Sequence, residues 1–454
     1  MNMFSLAFIC LWTAVLILLK YSHTAKMQNK ILLLASILFY ANWDARFLLL
    51  LAFIIFTAYY AALNIKKRLS LYLGIGVPLL VLGIFKYLDF GLQSFCLLTG
   101  LSPTPALNII LPLGISFYIF LAISYVLDVY KGKIAAKTDF ISVALYISFF
   151  PTIVSGPITK GRDLLPQLEN ARQVTMYNFS CGVQRFVIGC IKKFVIADNL
   201  AIFVNAVYAA PAAYDTPTVW LAVISFSLQL YFDFAGYSDM AIGVARTIGI
   251  KLSENFNLPY ISKNISEFWK RWHISLSSFL QEYLYFSLGG SRRGKIRTYV
   301  NLILTMSICG IWHGAGLNFI LWGFIHGILL CIHHLYRESW GRYIKIPAAV
   351  NIFITFFSVT IVWIFFRATS FANALEIFTR LFVINTNAIY HPYILSLVAI
   401  FILLAASIYT VYHPTKKARF PLNTPLGFFV LIFELYILFG LRCGGNTPFV
   451  YANF

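Results

Sequence analysis

Apolar runs of about 17 to 25 residues, the length a helix needs to cross a hydrocarbon core about 30 Å thick, recur through this chain. They lie near 3–19, 31–43, 47–63, 71–87, 107–129, 217–247, 299–335, 348–366, 393–411 and 424–441. With 299–335 read as a helical hairpin, they make about eleven crossings. Lipid offers no hydrogen bonds to exposed backbone, so runs of this length must be helical. The sequence therefore predicts an all-α polytopic integral membrane protein of about eleven transmembrane helices. Its 454 residues are 60% hydrophobic and only 11% charged, against roughly a quarter in soluble domains. Two further segments, 141–155 and 181–200, are too short, too Pro-broken or too charged to span unaided, and suit re-entrant pieces buried in protein.

Ionisable groups expelled from the spans gather in loops. Lys and Arg number 35 against 16 Asp and Glu, a formal net charge of +19. The basic clusters fall at 20–30, 66–68, 131–137, 270–271 with 292–297, 337–345 and 416–419, which are alternate loops. Under the positive-inside rule these face the cytoplasm, which puts both termini outside. Short clusters between apolar segments are not a nucleic-acid surface, so no nucleic-acid partner is expected. Seven cysteines without a C-x-x-C pair describe neither a disulfide framework nor a zinc site. The N-terminus lacks a basic n-region and an A-x-A cleavage site, and reads as a retained first helix. With no repeat period or long polar linker, one membrane-embedded domain, 1–454, is expected.

The middle third is more polar than lipid-facing helix should be. QLYFDFAGYSDM, residues 229–240, sets Asp233 and Asp239 in a long apolar run, where an insertion cost of about 2.5–3.5 kcal/mol argues for a bundle interior or a wet cavity. Asp233 and Tyr237 share a helical face; Asp239 joins them only if Gly236 breaks the helix. These carboxylates either pair with Arg246, Arg271 or Lys270 and hold helices together, or line a tunnel. Downstream, 254–291 carries Phe268, Trp272, Ser275 and Phe279 at near-helical spacing among charges, as an amphipathic cytoplasmic-side stretch would, with His273 among them.

His313 has a more demanding setting. A helix starting near Val300 crosses roughly 18–20 Å of the core before Trp312-His313-Gly314. Gly314 and Gly316 then open the backbone at a depth where only protein or a water-filled cavity can satisfy it. An imidazole there suits a base that accepts and returns one proton. His326 lies about 140° around the helix from His313, and no i, i+4 histidine pair or H-E-x-x-H occurs, so no metal site is expected. His326 reads as a core or supporting histidine. No G-x-S-x-G elbow and no phosphate-binding G-x-x-x-x-G-K-[ST] loop is present.

In order along the chain, QLYFDFAGYSDMAIG, ENFNLPYISKNISEFWKRWHIS, YLYFSLGGSRRG and GIWHGAGLNFILWGFIHG closely resemble signature blocks of the membrane-bound O-acyltransferase family. The likeness is to its bacterial branch of alginate, peptidoglycan and teichoic-acid acylation proteins. FFPTIVSGPI and IKKFVIADNL extend it back to residue 148, giving a signature core of 148–335. The resemblance implies a helical shell around a thinned centre, where a funnel from outside meets an opening from the cytoplasm. It places the catalytic histidine on His313 and a second motif histidine on His273. Asp233, Tyr237, Asp239, Trp312, Asn318 and His326 are expected to line or support the tunnel. The implied chemistry moves an acyl group from a thioester donor, expected to be acetyl-CoA, to a hydroxyl, with no permanently bound cofactor.

The tail TPFVYANF, 447–454, resembles a C-terminal aromatic motif of the alginate and peptidoglycan branch. That implies Tyr451 as the hydroxyl that carries the acyl group to an extracytoplasmic acetyltransferase partner; an interfacial aromatic anchor is the alternative. Two functions stand. One is acetyl transfer across a bacterial cytoplasmic membrane for O-acetylation of a cell-wall polysaccharide, peptidoglycan ahead of alginate or another exopolysaccharide. The other is a proton-coupled transporter or flippase, against which stands the lack of paired internal repeats.

Overall fold

The computed structural model of the chain describes residues 3–102, 107, 109–339, 341, 343, 346–383, 398, 422 and 424–442. The span expected at 393–411 is, but for residue 398, outside the described residues, as is the tail 447–454. The described elements are helical: α1 (Leu6–Lys20), α2 (Ala25–Asp44), α3 (Phe47–Leu63), α4 (Arg68–Thr99), α5 (Ile115–Tyr130), α6 (Phe140–Ser148), α7 (Gly161–Glu169) and α8 (Met176–Cys190). After a π-helical segment (Ile191–Ala197) come α9 (Asp198–Ala209), α10 (Thr216–Thr247), α11 (Ile265–Arg271), α12 (Ile274–Phe279) and a second π segment (Leu280–Tyr285). Then follow α13 (Lys295–His313), α14 (Leu317–Glu338), α15 (Ala348–Arg367), α16 (Phe371–Arg380) and α17 (Pro425–Leu441). Helix starts follow local chemistry: Ser5, Thr24, Thr175, Asp215, Asn264, Ser370 and Thr424 each accept a backbone N–H three residues on.

Four described helices, α4, α10, α14 and α15, are long and apolar enough to cross a membrane, and α1, α3, α5 and α17 are shorter apolar helices. The expected figure of about eleven crossings narrows to those elements among the described residues. α10 is the axis of the fold: 83% of its most apolar window is buried, against 22% for α4 and α14, whose apolar faces are left for lipid.

Glycine sets how α10 packs. Gly182 and Gly189 on α8 oppose Gly243 and Gly236 on α10, so the two helices run antiparallel with their backbones touching every seven residues. A Cβ on Gly182 or Gly243 would stand 2.6 Å from the other's carbonyl oxygen, and one on Gly236 would stand 2.7 Å from the Gly189 carbonyl oxygen. Small residues permit such approach where no hydrophobic effect drives helices together. Gly236 therefore does not break α10, which is continuous from Thr216 to Thr247.

The segment 181–200 corrects an expectation. It is the middle of an uninterrupted helical run from Met176 to Ala209, not a short re-entrant piece. Its lysines had argued against a span, but the π segment turns Lys192 and Lys193 onto α10 carboxylates. The other short segment behaves as expected. α6 ends at Ser148, and the irregular stretch Phe149–Lys160 that follows is buried throughout, where protein groups can satisfy its backbone.

Gly236→Leu is expected to destabilise the detergent-solubilised protein by roughly 1–3 kcal/mol through forced separation of α8 and α10, read as a lower thermal-unfolding midpoint. Gly76→Leu, on α4 with nothing within 4 Å of where its Cβ would stand, should leave the midpoint in place. Equal midpoints for both variants would show that the glycine contact does not hold the helices.

Candidate active site

α13 ends at His313, and the backbone turns through Gly314 and Gly316 into α14. The helix starts at Lys295, earlier than the expected Val300, because its first turn is polar and lies outside the apolar run. The hairpin is held by the same device as α8 and α10. A Cβ on Gly310 would overlap the Phe319 carbonyl oxygen, and one on Gly323 the Met306 carbonyl oxygen. No larger residue fits, so the turn after His313 is fixed tightly.

His313 is 2% exposed, and its ring is walled by Trp312, Trp322 and Phe366 with centroids 4.7, 5.1 and 5.2 Å away. Trp312 is itself wedged. It stacks on Phe120 at 5.2 Å, and the Lys86 ammonium lies 5.6 Å from its ring centroid. The last carbonyls of a helix lack intrahelical partners, and here α4 supplies them: Lys86 Nζ donates to the Trp312 carbonyl, and Tyr87 Oη donates to the Ile311 carbonyl at 2.6 Å. An ammonium at a helix C-terminus also matches the helix dipole. Lys86 and Tyr87 carry no motif. The one sequence signal was a lysine inside the apolar run 71–87, an expensive placement that points to function.

His273 also lies near Trp312, with ring centroids 6.5 Å apart. The expected amphipathic helix breaks here, since α11 ends at Arg271 and His273 is left-handed at φ 42°. A non-glycine residue in that region stores strain of order 1–3 kcal/mol and persists only where its surroundings over-determine it. Asn255 does so. Its Oδ1 lies 3.0 Å from His273 Nδ1 and accepts from Ser275 Oγ at 2.9 Å, while its Nδ2 donates to Ser238 Oγ at 3.1 Å and its carbonyl accepts from Ile274 N. Phe268, Trp272, Ser275 and Phe279 are nevertheless all buried, as their spacing predicted.

The remaining expected residues separate into roles. His326 is fully buried in a cage of Trp269, Trp322 and Trp363 at 5.1, 4.9 and 6.1 Å, and shares Trp322 with His313. Asn318 donates to the Phe365 and Ala368 carbonyls at 3.2 and 3.1 Å, capping α15. Tyr237 is buried on α10. The aspartates have partners other than those expected: Asp233 pairs with Lys193 at 2.6 Å, and Lys193 also meets Asp198 at 2.8 Å. Asp239 pairs with Arg185 at 2.7 Å and Lys192 at 2.6 Å, whereas Arg271 pairs with Glu267 on its own helix. Both aspartates thus clamp α10 to the 176–209 run. Tyr451 lies outside the described residues.

A cavity of about 730 Å³ opens against the turn after His313. Gly316, Asn318, Phe319 and Phe366 border it on the histidine side, and Asn205, Gln229 and Arg367 bring polar groups from α9, α10 and α15. Toward the opposite end of α5, the cations Lys131, Lys133, Lys160 and Arg162 gather around Glu282 and Asp128. Arg162 holds Glu282 with two bonds of 2.5 and 2.8 Å, and this, with Lys133 and Lys160, keeps the carboxyl well below the usual carboxylate range despite partial burial. Three of the cations also lie 5.4–5.7 Å from the Tyr283 ring. Four positive groups against two carboxylates leave an excess of positive charge.

The profile of MBOAT, the membrane-bound O-acyltransferase family, matches residues 131–375, which span both histidines and the cation cluster. The chain is similar to "Probable alginate O-acetylase AlgI" of Pseudomonas putida, 40% identical over 386 residues, covering 83% of this chain and 79% of that protein. It is similar to the peptidoglycan O-acetyltransferase of Helicobacter pylori, 38% identical over 409 residues, with 83% and 77% covered. It is also similar to the teichoic acid D-alanyltransferase of Bacillus subtilis, 33% identical over 252 residues, with 53% and 63% covered. Lys86 lies outside the profile match.

Lys86→Met removes a charge-assisted hydrogen bond worth about 1.5–3 kcal/mol, and is expected to lower acyl transfer about tenfold or more by freeing the end of α13. His326→Phe, which keeps a ring among rings, should retain most activity in the same acyl-transfer assay. Full activity in Lys86→Met would remove it from the site, and a dead His326→Phe would give that imidazole a chemical role.

Proposed function

The chain belongs to the membrane-bound O-acyltransferase family, and on that premise we propose that it carries acetyl groups from cytoplasmic acetyl-CoA to an acceptor outside the membrane. It is a membrane-bound O-acyltransferase; the donor, the carrier and the residues in their roles are the proposal. The observation that carries it is His313 itself, a buried imidazole at the end of α13, walled by aromatic rings of which one, Phe366, also lines a large cavity together with the turn that follows the histidine.

In the proposed step His313 takes the proton of the acceptor hydroxyl, and the oxygen attacks the thioester carbonyl. A carbon–oxygen bond forms, the carbon–sulfur bond breaks, and the proton held by His313 passes to the departing thiolate. General-base help of this kind is worth about 10²- to 10⁴-fold. His273, locked by Asn255 with its ring 6.5 Å from that of Trp312, helps to hold the indole beside His313. The excess cations around Tyr283 suit the phosphates of acetyl-CoA, and their place among the basic loops is the cytoplasmic side under the positive-inside rule.

Tyr451 is the proposed first acceptor. The carbonyl of Leu441, at the end of α17, accepts from Asn199 Nδ2 at 3.2 Å, and Ala201 and Asn205 further along α9 line the cavity. Ten residues of extended chain reach about 33–36 Å, ample for the tail to return its tyrosine to that cavity. The acetyl group then passes to an extracytoplasmic acetyltransferase partner, with the chain in the bacterial cytoplasmic membrane and both termini outside.

Relatives named for alginate and for peptidoglycan stand at 40% and 38% identity. The expected preference for peptidoglycan therefore widens to the class they share, an O-acetylated polysaccharide outside the cytoplasm, to be identified by polymer analysis in a deletion strain. The biochemical test is radiolabelled acetyl-CoA with the purified chain. Label is expected on Tyr451 in wild type, none on that position in Tyr451→Phe, and labelling slowed about 10²-fold or more in His313→Ala. Equal labelling rates in His313→Ala and wild type would remove His313 as the base.

A further inference from the structure

The cavity beyond His313 contains one buried polar side chain that the reaction above does not use. Gln229 opens the motif QLYFDF on α10 and is 6% exposed. It lines the cavity, yet its Oε1 has no hydrogen-bond partner among the described residues. Buried side-chain amides are ordinarily satisfied, and one left unmet beside an open volume calls for a partner that arrives from outside the fold. Asn318, the other amide at this border, is by contrast committed to the Phe365 and Ala368 carbonyls, and Asn205 Oδ1 accepts from Arg367 at 2.6 Å.

The rest of the wall states what that partner looks like. Phe90, Phe226, Phe319, Phe366 and Phe371 line the same cavity, and no carboxylate lines it among the described residues. Arg367, the one cation among the described residues of the wall, is engaged by Asn205 and stacks on the Tyr208 ring at 5.4 Å. A ring-shaped apolar body with one hydrogen-bonding group fits this surface better than a polyol, whose many hydroxyls would face phenylalanine without partners.

We propose that Gln229 is the acceptor-positioning residue of this enzyme: its side-chain amide hydrogen-bonds an aromatic acceptor segment, a tyrosine-bearing peptide, seated in the phenylalanine-walled cavity outside His313. The inference rests on the reading that a tyrosine is the first acceptor, and it adds the residue that recognises it. Gln229 leaves the donor side untouched, because it faces the cavity on α10 and not the Trp312 wedge.

The test uses the full-length chain as Tyr451→Phe, so that its own tail cannot be acetylated, with the synthetic peptide TPFVYANF supplied as probe. Peptide binding is read by tryptophan fluorescence and peptide acetylation by label from acetyl-CoA. Gln229→Leu is expected to weaken peptide binding and raise the peptide KM about tenfold, about 1.4 kcal/mol, with the KM for acetyl-CoA unchanged. Gln229→Asn, which keeps the amide on a shorter stem, should recover part of the loss. Equal binding by Gln229→Leu and its parent overturns the proposal, as does a parallel rise in both KM values, which would mark a structural role. Absence of peptide binding by the parent chain also overturns it. Binding that weakens in Gln229→Leu without any acetylation of the peptide by the parent would uphold Gln229 and instead remove the tyrosine-carrier chemistry.

Discussion

The close backbone contact between α10 and the 176–209 run is the constraint from which the rest of the molecule follows. Lipid gives no hydrophobic reward for bringing two apolar helices together, so contact must come from packing and polar pairing. Gly182, Gly189, Gly236 and Gly243 provide the packing. Lys193 with Asp233 and Asp198, and Lys192 and Arg185 with Asp239, provide the pairing. Neither would suffice alone. The glycines bring the helices close enough for short side-chain bridges, and the bridges neutralise charges that would otherwise be ruinous at that depth. α10 is then rigid enough to present Gln229 and Phe226 to one cavity and Phe234 to His273.

On that axis the two histidines are positioned by quite different means. His313 is placed by helix termination, with glycine packing behind it and α4 donors on its last carbonyls. His273 is placed by a strained backbone held by one asparagine. Both imidazoles neighbour the Trp312 ring, with centroids 4.7 Å away for His313 and 6.5 Å away for His273.

Much of this was readable from residues in order. Apolar runs located α4, α10, α14 and α15, the Gly314–Gly316 pair located the end of α13, and the proline-broken segment 141–155 announced the buried irregular backbone that follows α6. What failed was anything that depends on a partner far away in sequence. The aspartates were recognised as costly, but their cations were sought downstream, at Arg246, Lys270 and Arg271, when they sit 40 to 54 positions upstream on α8 and the π segment. The π segment itself was invisible, because periodicity at 3.6 residues does not anticipate adjacent lysines facing one neighbour. The break at His273 was hidden by hydrophobic spacing that remains helical in projection while the chain kinks. Lys86 was hidden because a single cation in a long apolar run forms no pattern.

The wedge of Phe120, Trp312, Trp322 and Phe366 has a bearing on the cell as well as on the reaction. A membrane protein with ionisable groups buried in its middle is, in electrical terms, a potential short circuit. Protons need a file of water molecules to cross, and the rings packed against the His313 imidazole narrow the space for one. The same aromatic wall would keep water from competing with the acceptor for the acyl group. Insulation of the membrane and thrift with its acyl donor thus come from one set of rings.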